Sequence, residues 1–450
     1  MNDPLLRILP KEKRVRNFQE VSQKVSRKIA IEEARRFPQP SNPAEHPRDA
    51  FGVDFPAFIR ILREGDVPGA LRKIREENDL PGVSARICPR PMTQSAAFNE
   101  RLVDIRILQR FAADYGREGF LGRRPQKRTG KKVAVVGAGP AGLSAAAQLA
   151  KRGYQVTLFE ATPFAGGRMR YLIPRFRLPK DILETDIADI MFLGVELQTG
   201  VRIGSNLGID DLWEKGFSAI LLTSGTSAPA WTELPGVDAG GVYYAEELLI
   251  PVNILQPSFF MKHPVVEIGE NVVVMGSTDK ALDCARVCLR LGRKVTMVFE
   301  EVEEDLRVDE KELIFAKEEG LVLKPLTRCL SVEQDKGRFR ALRCQTMDFA
   351  ENPEGRWQIK AVPDSEFRLE ADTFFLTGHQ QVTPRACGFL PGVKRNSDGS
   401  LRVDPETSLT SRENIFAAGH VTGPDIDIDE AMAAGKAVAG HIDQYLKERV

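Results

Sequence analysis

Cysteine and histidine are scarce in this chain of 450 residues, with six of the first and five of the second. No C-x-x-C occurs, and His46, His263, His379 and His441 stand alone in sequence, so neither residue type offers the spacing of a metal site. Cys88, Cys284, Cys288, Cys329, Cys344 and Cys387 are scattered, which excludes a disulfide scaffold and predicts a reducing, cytoplasmic setting. Cys284 and Cys288, four apart on a predicted helix, read as small buried residues rather than as a metal pair. No apolar run reaches the roughly 18 residues that span a bilayer, and MNDPLLRILPKEKR lacks the apolar stretch of a secretion signal. A G-x-S-x-G nucleophile elbow and a G-x-x-x-x-G-K-[ST] phosphate loop are both missing. Net charge is absent as well, because 63 Lys and Arg balance 63 Asp and Glu.

That balance is uneven along the chain. Residues 1–130 hold 26 Lys/Arg against 17 Asp/Glu, and the surplus of nine is offset by the remaining 320. Basic runs lie at KEKRVR (11–16) and RRPQKRTGKK (123–132). No nucleic-acid module accompanies them, so they predict a solvated linker and a docking face for an acidic partner. Helical spacing of apolar residues predicts helices within 1–36, 57–79 and 95–115. Between them, Pro38, Pro40, Pro43, Pro47 and Pro56 predict a loop over 37–56.

What the chain does have is VAVVGAGPAGLSAAAQLAKRGYQVTLFEA at 133–161. An apolar β-branched run enters Gly137, Gly139 and Gly142, then an Ala-rich helix, then a second strand ending at Glu160. Gly137 permits the tight turn, Gly139 lets the backbone approach a pyrophosphate, and Gly142 allows close helix–strand packing. The helix N-terminus offers N–H groups and partial positive charge to phosphates. Glu160 stands where a carboxylate meets ribose hydroxyls. A second strand–turn–helix–strand unit, NVVVMGSTDKALDCARVCLRLGRKVTMVFEE, starts at Asn271 and runs from Gly276 through Ser277 and Thr278 to Glu300. A third apolar strand, IFAAGHVTG (415–423), ends at Gly419 and leads into a helix.

Together with NFQEV (17–21), IEEARRF (31–37), AGGRMRYLIPRFRLPKDIL (165–183) and ELPGVDAGGVYYAEELL (233–249), these units make the chain resemble the small (beta) subunit of glutamate synthase and its relatives, NAD(P)H-dependent FAD oxidoreductases. The resemblance runs from about residue 7 to 446. It implies FAD in the first unit, with Gly137, Gly139, Pro140, Ala141, Gly142, Glu160, Gly167, Arg168, Gly225, Gly419 and His420 at the cofactor. It implies NAD(P)H in the second, at Gly276, Ser277, Thr278 and Glu300. In relatives an N-terminal helical domain holds [4Fe–4S] clusters.

The chain departs from that family in three places. Phe37, Pro40, Glu45 and Asp49 stand where cluster thiolates are expected, and near Cys88 so do Gln94 and Phe98. The expectation is therefore no iron–sulfur cluster in this chain. Where relatives have a G-G-G-N-like turn, the second turn carries Gly276, Ser277, Thr278 and Asp279, and Asp279 would set a negative charge near a pyrophosphate. Glu300 and Glu301 follow the second strand where NADP enzymes carry arginines, so NADH is expected over NADPH, or else a unit kept only as a scaffold. Finally, His420 replaces an Asp of relatives, and Leu172 and Arg175 alter the Y-x-I-P-x-F-R-L-P-K segment, with Leu172 expected to crowd the path to the ring.

The expected fold is α/β. A helical adaptor domain occupies 1–130, an FAD-binding domain 131–265 and 375–450, and an inserted NAD(P)H-binding-like domain 266–374. The expected function is an FAD-containing oxidoreductase subunit moving electrons between NADH and a partner redox centre, with partner subunits docking on the basic N-terminal domain. The alternative is a structural or electron-relay subunit that keeps FAD or only the fold.

Overall fold

The computed structural model describes residues 6–37, 48–49, 51–88, 103–117, 128–225, 228–229, 232–255, 257–351, 356–378, 380–381, 391–423 and 426–449. Pro40, Glu45, His46, Gln94, Phe98, His379 and Cys387, named above, lie outside the described residues.

Two five-stranded, wholly parallel sheets dominate. The first orders Ile415–Ala417, Phe217–Leu222, Lys132–Val136, Gln155–Glu160 and Glu196–Thr199. The second orders Val242–Tyr244, Thr373–Leu376, Asn271–Met275, Lys294–Val298 and Val322–Lys324. The α/β expectation holds, and the strand order of each sheet reverses beside its central strand, where α/β folds bind ligands. The second sheet starts before the expected boundary at 266, because Val242–Tyr244 pairs with Thr373–Leu376 as its edge. Three residues are too short for periodicity to reveal. An antiparallel sheet of Thr327–Asp335, Arg338–Glu351 and Trp357–Glu370 hangs from the second unit.

The N-terminal region is helical, with corrections. Within 1–36 only Lys11–Arg14 and Arg27–Arg36 are helices among the described residues. The NFQEV stretch between them is not helical, and its backbone bonds elsewhere: Val21 N donates to Phe176 O (3.0 Å), and Leu9 N donates to Val21 O (2.9 Å). The stretch 57–79 divides into Phe55–Arg63 and Val67–Arg75. Gly65 sits at φ +87° in the break, and Asp66 caps the second helix through Gly69 N (2.8 Å). The helix predicted over 95–115 is described from Ile105 to Tyr115, capped by Asp104.

The helix Pro140–Lys151 is the hub. Residues 141–150 are all buried, and it packs along the C-terminal helix Ile428–Lys447. Small residues allow that closeness: a Cβ on Gly435 would lie 2.2 Å from Ala141 O. No helix among the described residues is long and apolar enough to cross a membrane.

Candidate functional site: a cleft between two nucleotide units

At the first turn Gly137 has φ +108°, and an added Cβ would stand 2.5 Å from Thr223 O. On Gly142 it would stand 1.9 Å from Gly137 O. Gly139 is different, for a Cβ there meets nothing within 4 Å. The backbone is therefore tightly packed behind and open in front. Gly139 caps the helix with no side-chain bond, so the first-turn N–H groups of Ala141 and Gly142, following Pro140, face that opening. Gly166 N donates to Ala138 O (2.8 Å), and a Cβ on Gly167 would lie 2.9 Å from Gly139 Cα, which places the Gly166–Arg168 stretch against the turn. Gly419 sits at φ +77° against Ala141. Gly225, at φ +70° with open space around it, follows Ser224, whose buried hydroxyl has no hydrogen-bond partner among the described residues. An open glycine turn, uncapped N–H groups and an orphan hydroxyl fit the pyrophosphate of FAD.

Glu160 is held in place by the protein. Its Oε2 accepts from Ala138 N (2.9 Å), and Oε1 accepts from Thr162 N (2.8 Å) and Thr162 Oγ1 (2.7 Å). Oε2 keeps a lone pair for a ribose hydroxyl. Arg168 and His420 meet, with Nη1 to Nε2 at 3.1 Å. Burial pulls the Arg168 pKa down, and the nearby charge of Glu246 works against that.

At the second turn Gly276 has φ +141°, and the helix Asp279–Arg290 begins after Thr278 with no side-chain cap. Asp279 is turned from the phosphate position: its Oδ2 accepts from Arg177 Nη2 (3.1 Å) and its Oδ1 from Asp309 N (3.1 Å). Lys280 reaches across to Glu246 Oε1 (2.8 Å) and Gly378 O (2.9 Å). Leu172 does not crowd the cleft; it is 8% exposed and packs in the core of the second unit. Arg175 donates to Asn253 O (3.2 Å).

The second turn opens on a cleft of about 1220 Å³, and residues packed beside the first turn line its other side. Gly276–Lys280, Phe299–Glu301 and Arg307 line it from the second unit, and Arg168, His420, Asp427 and Glu430 from the first. Sequence reading missed Ser224, Glu246, Arg177 and Arg307. Glu246 lies in the ELPGVDAGGVYYAEELL segment already singled out, and its acid–acid end was the available signal.

Residues 131–439 match the pyridine nucleotide-disulphide oxidoreductase family. The glutamate synthase [NADPH] small chain of Escherichia coli is 31% identical over 421 residues, covering 87% of this chain and 86% of that one. This chain belongs to that oxidoreductase family. The beta subunit of an NADP(+)-dependent formate dehydrogenase from Moorella thermoacetica is 33% identical over 427 residues, covering 88% of this chain and 59% of its own length. Mycobacterium tuberculosis FprA in complex with NADPH shares the fold at a TM-score of 0.59 and 17% identity, over 71% of this chain and 85% of that one.

Two cofactor expectations are corrected. Residues 14–119 match the dihydropyrimidine dehydrogenase domain II family with a 4Fe-4S cluster, which overturns the expectation of no cluster. That expectation rested on cysteine count, Cys88 being the one cysteine in the first 130 residues. Cys88 is buried, its thiol pushed well up by burial and then by Asp429 and Asp427 at the start of the C-terminal helix. A cubane takes four ligands, usually thiolates, and Cys88 is the one thiol among residues 14–119. The expectation that NADPH is disfavoured also falls, because these relatives are named for NADP(+) or NADPH. The carboxylates behind it are not bare: Glu300 pairs with Arg328 (2.6 Å), and Glu301 accepts from Ser277 Oγ (2.9 Å).

Proposed function

We propose that the chain is the flavin-bearing electron-transfer subunit of a larger oxidoreductase, taking electrons from NAD(P)H and passing them to a partner's redox centre. The observation that carries this reading is a single cleft lined by the second nucleotide turn and by Arg168 and His420, whose neighbours Gly167 and Gly419 pack on the first turn at Gly139 and Ala141. Two separate nucleotide sites do not need a common opening; hydride transfer between two rings does. When bound, FAD supplies the chemistry of accepting a hydride and releasing electrons one at a time.

The protein's part is placement. Gly137, Gly139 and Gly142 set the backbone against the flavin pyrophosphate, and Glu160 orients the ribose. Arg168, braced by His420, supplies positive charge beside the phosphates. Ser277, Thr278 and the first-turn N–H groups of the second helix hold the nicotinamide nucleotide. Glu246 sits between Arg168 and Lys280 and keeps both cations at the seam. The reading assigns the basic N-terminal domain to partner docking, on the strength of its charge surplus.

The test is an anaerobic titration. The purified chain is expected to carry yellow flavin absorbance that NADPH or NADH bleaches. Bleaching by neither nucleotide would sink the hydride reading and leave a structural subunit. Colourless protein that FAD does not reconstitute would sink the flavin reading too.

A further inference from the structure

The second unit carries a pair of thiols that the dehydrogenase reading does not use. Cys329 lies on the strand Thr327–Asp335 and Cys344 on its antiparallel neighbour Arg338–Glu351, in direct register opposite one another. Opposed residues hold their Cβ atoms roughly 4.5–5.5 Å apart, close to the roughly 3.5–4.5 Å of a disulfide. The register shifts between Cys329 and Ser331, a bulge that gives this strand room to close the remaining gap. Direct register puts the two side chains on the same face of the ladder, side by side. Their access differs. Cys329 is half-buried and lines the nucleotide cleft, whereas Cys344 is fully buried behind it.

We propose that Cys329 and Cys344 form a reversible disulfide in the wall of the cleft, made by exchange with a small-molecule disulfide that enters it. Cys329 loses its proton to solvent and attacks one sulfur of the small disulfide. A mixed disulfide forms, and one thiolate leaves. Cys344 then attacks the Cys329 sulfur and expels the second thiolate. Two protein thiols and one small disulfide become one protein disulfide and two small thiols, with two electrons passing to the small molecule. The pairing with Cys344, and then burial, push the Cys329 thiol up, while the same pairing holds Cys344 down against burial, with Lys324 adding to it; access from the cleft therefore makes Cys329 the first to react, and Cys344 is suited to the second attack.

The other described thiols supply the contrast. Cys284 and Cys288 lie four apart on one helix, but both are fully buried and away from the cleft. Cys88 is closed off in the same way. The proposal does not depend on which nucleotide the cleft takes.

The experiment treats the full chain with glutathione disulfide, quenches with acid, alkylates the remaining thiols and maps the peptides by mass spectrometry. The expected product joins the Cys329 and Cys344 peptides with loss of two hydrogens, and dithiothreitol reverses it. Cys284, Cys288 and Cys88 are expected to react at least about tenfold more slowly. Cys344→Ser should stop at a stable glutathione adduct on Cys329. Cys329→Ser, at the more accessible position, should carry neither the link nor an adduct on Cys344. Free thiols at both positions in the wild-type chain overturn the proposal. So does a lasting adduct on Cys329 without the link, or a link from Cys329 to Cys387.

Discussion

The two nucleotide turns share a backbone plan and differ in what holds them. The first is held by small apolar residues, with Ala141–Ala150 buried against the sheet and the C-terminal helix, and a charged pair, Lys151 with Asp79, only at the far end. The second is held by buried charge. Arg286 and Arg290, both buried, converge on Glu319, with hydrogen bonds of 2.7–3.0 Å. Arg286 also pairs with Glu312, and Arg177 reaches Asp283 at 2.8 Å. The guanidinium of Arg290 lies 3.8 Å from the Phe176 ring centroid and that of Arg286 4.7 Å. Phe176 belongs to the YLIPRFRLPK segment, and its carbonyl accepts from Val21 N. Arg14 of the N-terminal domain adds a pair to Glu318. The charged cluster therefore ties three domains to the second turn, while the first turn stands mainly on packing, with Glu160 accepting from Ala138 N and Thr223 Oγ1 donating to Gly137 O. Packing is indifferent to pH and salt, but a buried ion cluster is not.

The largest effect is expected at the first turn. Gly142→Val should cost on the order of 4 kcal/mol or more, since even a Cβ meets the Gly137 carbonyl. Thermal unfolding with a flavin-to-protein ratio measures it. Gly139→Ala is the sharper variant. Its methyl enters open space, so the fold should survive within about 1 kcal/mol, while flavin retention falls at least tenfold. Unchanged flavin content in Gly139→Ala would move the pyrophosphate elsewhere.

The second turn should break through its charges. Glu319→Ala leaves two buried arginines without their carboxylate and should cost about 3–5 kcal/mol, with loss of NAD(P)H reduction exceeding loss of flavin. The pH dependence has a definite sign. Burial disfavours the Glu319 charge, but the bonds and charges of Arg286 and Arg290 prevail and hold its pKa at about 2, below the usual 4.5. The folded state thus releases this proton more readily than the unfolded state. Its stabilisation, about 3 kcal/mol by linkage, is complete above pH 4.5 and lost as pH falls from 4.5 to 2. Urea unfolding across that range should show the wild type losing stability that Glu319→Gln never had. Parallel curves would assign the cluster no net role.

Arg307 should give a smaller effect. It is exposed and lines the cleft, and its backbone N–H donates to Ser277 O (2.9 Å). An exposed cation beside a phosphate contributes about 1 kcal/mol, so Arg307→Ala should raise the KM for NADPH about fivefold and that for NADH less. Equal shifts would place the 2′-phosphate away from it.

How far the sequence could be read follows from the same contrast. The first turn was legible because each glycine there answers a local steric need and the motif is contiguous. Gly137, Gly142 and Glu160 could be placed from spacing alone. The second turn was not, because its supports come from afar. Arg177 lies 102 residues before Asp279 in sequence and Arg328 lies 28 after Glu300. Charge repulsion read from neighbours in sequence left out the counter-charges that folding brings in. The NFQEV stretch carries helical spacing without forming a helix for a related reason, since Phe18 and Val21 serve Phe176 and not a helical face of their own.

Asp279 offers the smallest effect and the most direct test of that lesson. Read from sequence, its carboxylate faces the pyrophosphate, and Asp279→Asn should then tighten NAD(P)H at least tenfold. In the structure it accepts from Arg177 and from Asp309 N. A carboxylate already paired projects little charge onto a neighbour, and asparagine keeps an oxygen able to accept one of those bonds. The dissociation constant of NAD(P)H for Asp279→Asn, measured by flavin-reduction titration or fluorescence, is therefore expected to stay within about threefold of wild type, a difference under roughly 0.7 kcal/mol. A tenfold gain would mean that the carboxylate leaves Arg177 when nucleotide binds, and that the second turn is less firmly held than its buried charges imply.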